Sequence, residues 1–156
     1  MFNHQPPDYT CPFCNLLAGK ENEYDRTEDI VFQNKFVTAS IAPKWWINNP
    51  GNVLVIPNTH YENIYDIPDD ILGEVYAVVK KVAVAIRIAY EGCEGTSTRQ
   101  HNEPAGNQAI WHFHAHVFPR YPDDNLYQNH NQKRFVSPEE RRPYAEKLRA
   151  FLSKLD

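Results

Sequence analysis

The sequence has no apolar run approaching the roughly 20 residues that a membrane span requires, so no transmembrane helix is expected. It has no excess of positive charge. Lys plus Arg number 16 against 20 for Asp plus Glu, a formal charge of -4, which argues against a nucleic-acid or anionic-membrane partner. An anionic substrate must then be held by a few local donors rather than by a global field. Only 6 glycines are present, with no G-x-x-x-x-G-K-[ST] run, which argues against a P-loop enzyme. The start of the chain, Met-Phe-Asn-His-Gln-Pro-Pro, has neither a basic nor an apolar stretch, so a cytoplasmic location is expected rather than secretion. Cysteines number 3, an odd count, and the cytosolic expectation disfavours a disulfide.

What is present is an ordinary globular composition, 42% hydrophobic and 23% charged, over 156 residues. That length points to one domain with a real core, residues 11–156 following an irregular arm, 1–10, that contains Pro6 and Pro7. Ile30 to Phe32 and Phe36 to Ile41 flank Asn34-Lys35 and predict a hairpin. Asn48-Asn49-Pro50-Gly51 is loop punctuation, and Val53 to Ile56 before Pro57 reads as a strand buried on both faces. From about Pro68 to Tyr90, Ile71, Val75, Val78, Val79, Val82, Ile86 and Ala89 recur at helical spacing. Valine is a mediocre helix former, so burial must hold this helix, in its own core or against a second subunit. Thr96 to Arg99 and Ile110 to Phe118 read as further strands. A last helix begins near Ser137-Pro138-Glu139-Glu140, with Pro143 expected to delay its regular part. Its apolar stripe is Tyr144, Leu148, Phe151, Leu152 and Leu155. The order of elements is that of an α+β domain.

Histidine is the unusual residue. Of 7 in the chain, His112, His114 and His116 alternate within Trp111-His-Phe-His-Ala-His-Val-Phe118, while His4 and His130 sit in polar loop sequence. In a strand, alternate side chains share a face, which places the three imidazoles on one side and Phe113, Ala115 and Val117 on the other. Three readings follow: an incidental solvated cluster, a metal site of all three, or a nucleophile, since neutral imidazole can form a covalent intermediate. Cys11-Pro-Phe-Cys14 has the spacing at which two thiolates clamp one zinc ion, which then needs two more ligands. A redox motif would want a preceding strand, and residues 1–10 offer none.

His112-Phe-His114-Ala-His116-Val-Phe resembles the signature of the histidine-triad family, His-φ-His-φ-His-φ-φ with φ apolar. Cys11-x-x-Cys14, Leu54-Val-Ile-Pro57-Asn-Thr-His60, the long helix and Asn107-Gln108 fall in the same order as in that family, over residues 11–122. The resemblance implies an antiparallel sheet of about five strands with one long helix and a C-terminal helix. It implies a nucleotidyl hydrolase or transferase acting at the α-phosphate of a dinucleoside polyphosphate or nucleoside phosphoramidate. His114 would be the nucleophile, with His116 beside it on the phosphate oxygens. Gln108 would contact the phosphate, with Asn107, Asn102, His101 and Arg99 as further substrate-side candidates. Cys11, Cys14, His60 and His112 would hold a structural zinc, and the protein would be a homodimer through the long helix. The chain departs from the family pattern at Ser40-Ile41, where many members carry an acidic residue at the ribose, and at Ala109, where many carry a hydroxyl. Those departures motivate the alternative of a nucleotide-binding or regulatory module with weak turnover. Trp45 and Trp46 are candidates for an aromatic wall or for core packing, and Arg120, Tyr121, Asp123 and Asp124 for a pocket rim.

Overall fold

The computed structural model describes residues 2–129 and 131–154. After an arm without helix or strand comes a six-residue helix, α1 (Pro12–Leu17), which the sequence pattern had not signalled. Its cap is Cys11, whose Sγ accepts the Cys14 backbone N–H at 3.4 Å. The expected hairpin forms as β1 (Ile30–Gln33) and β2 (Val37–Ile41). Asn34 closes it by accepting the N–H groups of Phe36 and Val37 on its side-chain oxygen. Then follow β3 (Lys44–Trp46), β4 (Val53–Pro57), the long helix α2 (Asp69–Ala89), β5 (Gly95–Gln100), β6 (Ala115–Arg120), β7 (Lys133–Phe135) and α3 (Pro138–Leu152). Five strands form one antiparallel sheet in the order β1-β2-β4-β6-β5, and β3 pairs with β7 as a separate two-stranded ribbon.

Alternation divides the sheet between two layers. Val37, Ala39, Ile41, Val53, Val55, Ala115 and Val117 join the main core with α2 and α3. Leu54 and Ile56 face the opposite way, into a smaller cluster with Cys11 and Phe13. Thus β4 is buried on both faces, as its uninterrupted apolar run predicts. The α2 stripe of Val75, Val78, Val79, Val82 and Ile86 is buried within this chain, while Tyr76, Val84 and Ile88 are exposed. Burial against the sheet therefore offsets the poor helix propensity of valine.

Two expectations change. The triad strand begins at Ala115 rather than Ile110, and runs on to Arg120. Upstream, the Phe113 N–H goes to the Tyr61 carbonyl and the His112 N–H to Ile110, so residues 110–114 are tied to loops instead of a neighbouring strand. Pro119 fits inside β6 because the β4 pairing ends at Val117. In α3, Pro143 does not delay the helix, which is continuous from Pro138. Ser137 caps it by accepting the Glu140 N–H, and burial of Arg141, Ala145, Leu148 and Leu152 holds the turn around the proline. Leu155, like His130, lies outside the described residues. Arg141 is fully buried and forms an ion pair with Asp29 at 2.8 Å, while also donating to the carbonyls of Tyr24 and Val136.

Candidate active site and metal centre

Four donor groups from three separate stretches of sequence converge beside the triad. Cys11 caps α1 and Cys14 lies within it, His60 comes from the loop after β4 and His112 from the segment before β6, and their ligand atoms all lie within 4.8 Å of one another. Cys11 Sγ is 3.3 Å from His112 Nδ1, and Cys14 Sγ is 3.3 Å from His60 Nδ1 and 3.6 Å from His112 Nδ1. These separations match the edges of a tetrahedron around an ion bound at about 2.0 to 2.3 Å. Each imidazole also has its outer nitrogen engaged. His112 Nε2 meets the Pro57 carbonyl at 3.0 Å and His60 Nε2 meets Gln5 Oε1 at 2.9 Å. A carbonyl or amide oxygen accepts only, so Nε2 carries the proton and each Nδ1 lone pair points inward, as a ligand must. The donor set could hold a metal ion. Without one, burial pushes the Cys14 thiol up to about 12 and holds His112 down at about 4.

His114 is 6% exposed and lies next in line. Its Nδ1 is 2.7 Å from the His112 carbonyl, so Nδ1–H donates there and Nε2 is left with its lone pair. Phe13 packs edge-on against both His112 and His114, at 5.7 and 5.3 Å between ring centroids, which fixes the two rings relative to α1. Burial lowers the His114 pKa to about 4, against the pull of that hydrogen bond, so the ring is neutral at pH 7. The His116 ring lies 5.0 Å from that of His114, and burial holds it well below the usual imidazole range. The triad therefore splits. His112 turns toward the cysteines, while His114 and His116 open onto a cleft of about 840 Å³, the size of a small-molecule site.

Arg99, His101 and Asn107 line the same cleft. The His101 Nδ1–H donates to the Gly106 carbonyl at 2.7 Å, and Arg99 stands directly across from His116 in the β5–β6 register. Gln108 and Asn102 are placed otherwise. The Gln108 amide donates to the carbonyls of Glu62 and Ile110 and accepts the Glu103 N–H. Asn102 accepts the Ile64 N–H and exchanges hydrogen bonds with Gln100. Both hold the loop that carries Asn107 rather than lining the cleft. Ala109 lines the cleft, and Ser40 is buried and does not line it. Of the adjacent pair Trp45 and Trp46, the first is core and the second is cleft wall. His4 is exposed, as its loop sequence predicts. Arg120 and Asp124 form a bidentate pair at 2.7 and 2.8 Å away from the cleft lining. Sequence reasoning missed Tyr24, Asp25, Lys44, Lys133 and Phe135 as cleft residues. Nothing in their local sequence marks them, because the β3–β7 pairing brings the lysines and Phe135 in from 89 to 91 positions apart only in the fold.

An antiparallel α+β domain with alternating histidines leading into a central strand, two of them on a cleft and the third in a Cys-x-x-Cys/His/His donor set, defines a narrow class of proteins. The HIT domain model matches residues 26–123, more than half of the chain, and the chain belongs to the HIT family. A Bacillus subtilis relative named Protein hit is 33% identical over 111 residues, 71% of each chain. An adenosine 5'-monophosphoramidase of Candida albicans is 28% identical over 71% of this chain and 70% of its own. A zinc-bound histidine triad family protein from Mycobacterium smegmatis superposes with a TM-score of 0.76 at 25% identity, covering 94% of this chain and 96% of that one.

Proposed function

We propose that the protein is a nucleotidyl hydrolase or transferase that cleaves at the α-phosphate of a dinucleoside polyphosphate or nucleoside phosphoramidate through a covalent nucleotidyl-His114. The observation that carries this reading is the hydrogen bond from His114 Nδ1–H to the His112 carbonyl, which leaves Nε2 as a lone pair on the cleft side. The monophosphoramidase name of the Candida albicans relative supports the same class. In the first step Nε2 attacks the α-phosphorus. The N–P bond forms as the bond to the leaving oxygen or nitrogen breaks, and the leaving atom departs with the electron pair and takes up a proton from solvent. The ring now carries positive charge, and the His112 carbonyl accepting Nδ1–H stabilises it. Water, or another acceptor hydroxyl, then attacks phosphorus, loses its proton and returns the electron pair to Nε2. His116, Arg99, His101 and Asn107 surround the phosphate oxygens, where a phosphoryl transition state is stabilised mainly by positioning and charge. Gln108 and Asn102 act through the loop they hold.

Zinc is the proposed ion at Cys11, Cys14, His60 and His112, because two thiolates and two imidazoles are a donor set it takes tetrahedrally. With four protein ligands it has no open position, so its contribution is structural. A cytoplasmic, reducing setting keeps these thiols available, and the exposed Tyr76, Val84 and Ile88 of α2 supply a face for a homodimer.

The test is incubation with adenosine 5'-phosphoramidate or a diadenosine polyphosphate, a basic quench and mass spectrometry. An adenylyl adduct on wild type that is lost in His114→Ala is expected. No adduct on wild type, or one that persists in the variant, overturns the reading. A nucleotide-binding module with little turnover is the second reading, favoured by Ala109 on the cleft wall where a hydroxyl would assist the leaving group.

A further inference from the structure

The β3–β7 ribbon is separate from the sheet that carries His116, and β7 lies beyond the residues that match the family model. Its register pairs Lys44 with Phe135 and Trp46 with Lys133. Alternation then puts these four side chains on one face, and all four line the cleft. The other face carries Trp45, buried in the core, and Arg134, paired with Glu140 at 2.8 Å. On the cleft face cations and rings alternate. Lys133 Nζ is 5.1 Å from the Trp46 ring centre and Lys44 Nζ is 5.0 Å from that of Phe135. Arg99 brings a third cation to the same indole, at 5.8 Å.

No carboxylate pairs with Lys44, Arg99 or Lys133 among the described residues. Asp25 is the carboxylate on the cleft wall, and its Oδ2 accepts from Asn22. Burial, then Lys44 and Arg99, hold the Lys133 ammonium below its usual range. In a chain with 20 acidic residues and a charge of -4, three unpaired cations on one wall repel one another until an anion lies between them. Two polar ring atoms beside them, Trp46 Nε1 and His116 Nδ1, are also buried without a protein partner.

We propose that Lys44 and Lys133, with Arg99, form a second anion subsite that receives the phosphate chain of the leaving half of the substrate. This rests on the nucleotidyl-transfer reading above and narrows it. Arg99, opposite His116, bridges from the α-phosphate to the ribbon, and the two lysines take the next phosphate. The Trp46 and Phe135 rings offer faces on which the ring of a second nucleoside can stack. The protein then selects nucleotides whose leaving group is itself phosphorylated over those whose leaving group is neutral.

Calorimetry on the metal-loaded protein with AMP and the non-cleavable α,β-methylene-ADP tests this. Wild type should bind the diphosphate about ten-fold or more tightly than AMP, since a charge-assisted contact is gained. Lys44→Gln/Lys133→Gln should bring the two affinities within about two-fold, whereas Lys44→Arg/Lys133→Arg should keep the preference. The preference should also shrink as salt is raised, which is measurable on wild type alone. Equal affinities in wild type, a preference that survives the double Gln variant, or one insensitive to salt overturns the subsite. Binding needs no turnover, so the two proposals fail separately. A preference without a His114 adduct removes the reaction, and an adduct without a preference removes only the subsite.

Discussion

At the scale of single residues, tautomers and lone pairs decide what each group can do. Backbone carbonyls fix the protons on His112, His114 and His101, so the orientation of each ring follows from an acceptor that cannot donate. Asp124 shows the same control over a charge. It accepts from Arg120, from the Tyr121 and Leu126 N–H groups and from Asn49, while its side chain is 1% exposed. The Arg120 guanidinium, aided by those donors, holds its carboxyl well below the usual carboxylate range. A depressed pKa contributes stability above the unfolded value of about 3.9 that disappears as pH falls below it. Asp124→Asn should therefore cost about 2 to 3 kcal/mol in urea unfolding at pH 7, the range of a hydrogen-bonded charge. The difference should shrink below pH 4. An equal cost at both pH values would place the loss in packing instead.

At the scale of elements, the sequence spoke clearly where a signal was long or contiguous. The α2 stripe repeats over about five turns, and the structure bounds that helix at Asp69 and Ala89. The triad and Cys11-x-x-Cys14 are local patterns whose spacing survives folding. By contrast α1 has six residues, and β3 and β7 have three each, too few for periodicity to register. The triad strand starts late because hydrogen bonds from a distant loop, which no local pattern reveals, draw residues 110–114 away. The turn before β4 was legible as punctuation, but not its cause. Gly51 has φ +79°, and a Cβ there would lie 2.4 Å from Tyr144 Cδ1 and 2.9 Å from the Tyr90 ring. Those rings join α2 and α3 beneath the turn, and the Tyr90 hydroxyl donates to the Gly51 carbonyl. Gly51→Ala should destabilise the fold by about 3 kcal/mol, combining strain at positive φ with overpacking. A denaturation midpoint unchanged from wild type would refute this.

At the scale of the whole molecule, the donor set brings α1 and its cap together with the loop after β4 and the segment that leads into β6. A metal bound there joins positions 11, 14, 60 and 112, so its binding free energy adds directly to folding. Elemental analysis after metal-sparing purification should give about one zinc per chain, and less than about half would count against the site. Stripping it with a chelator should lower the melting temperature by on the order of 10 °C. Docking of α1 should loosen first, seen as faster amide exchange at residues 12–17 than in the β-sheet. Uniform exchange across the chain after stripping would show that the metal supports the fold globally.

The buried Asp29–Arg141 pair bears on how the chain is born. Asp29 leaves the ribosome 112 positions before its guanidinium partner Arg141, which is also the donor for the Tyr24 carbonyl. Until then a carboxylate destined for the interior has no counter-charge, which opposes the burial of Val31 in β1 against the helical layer. This edge of the sheet can close only after residue 141 has emerged. The closure is a long-range step, in which the helix that bears Arg141 locks the first hairpin in place.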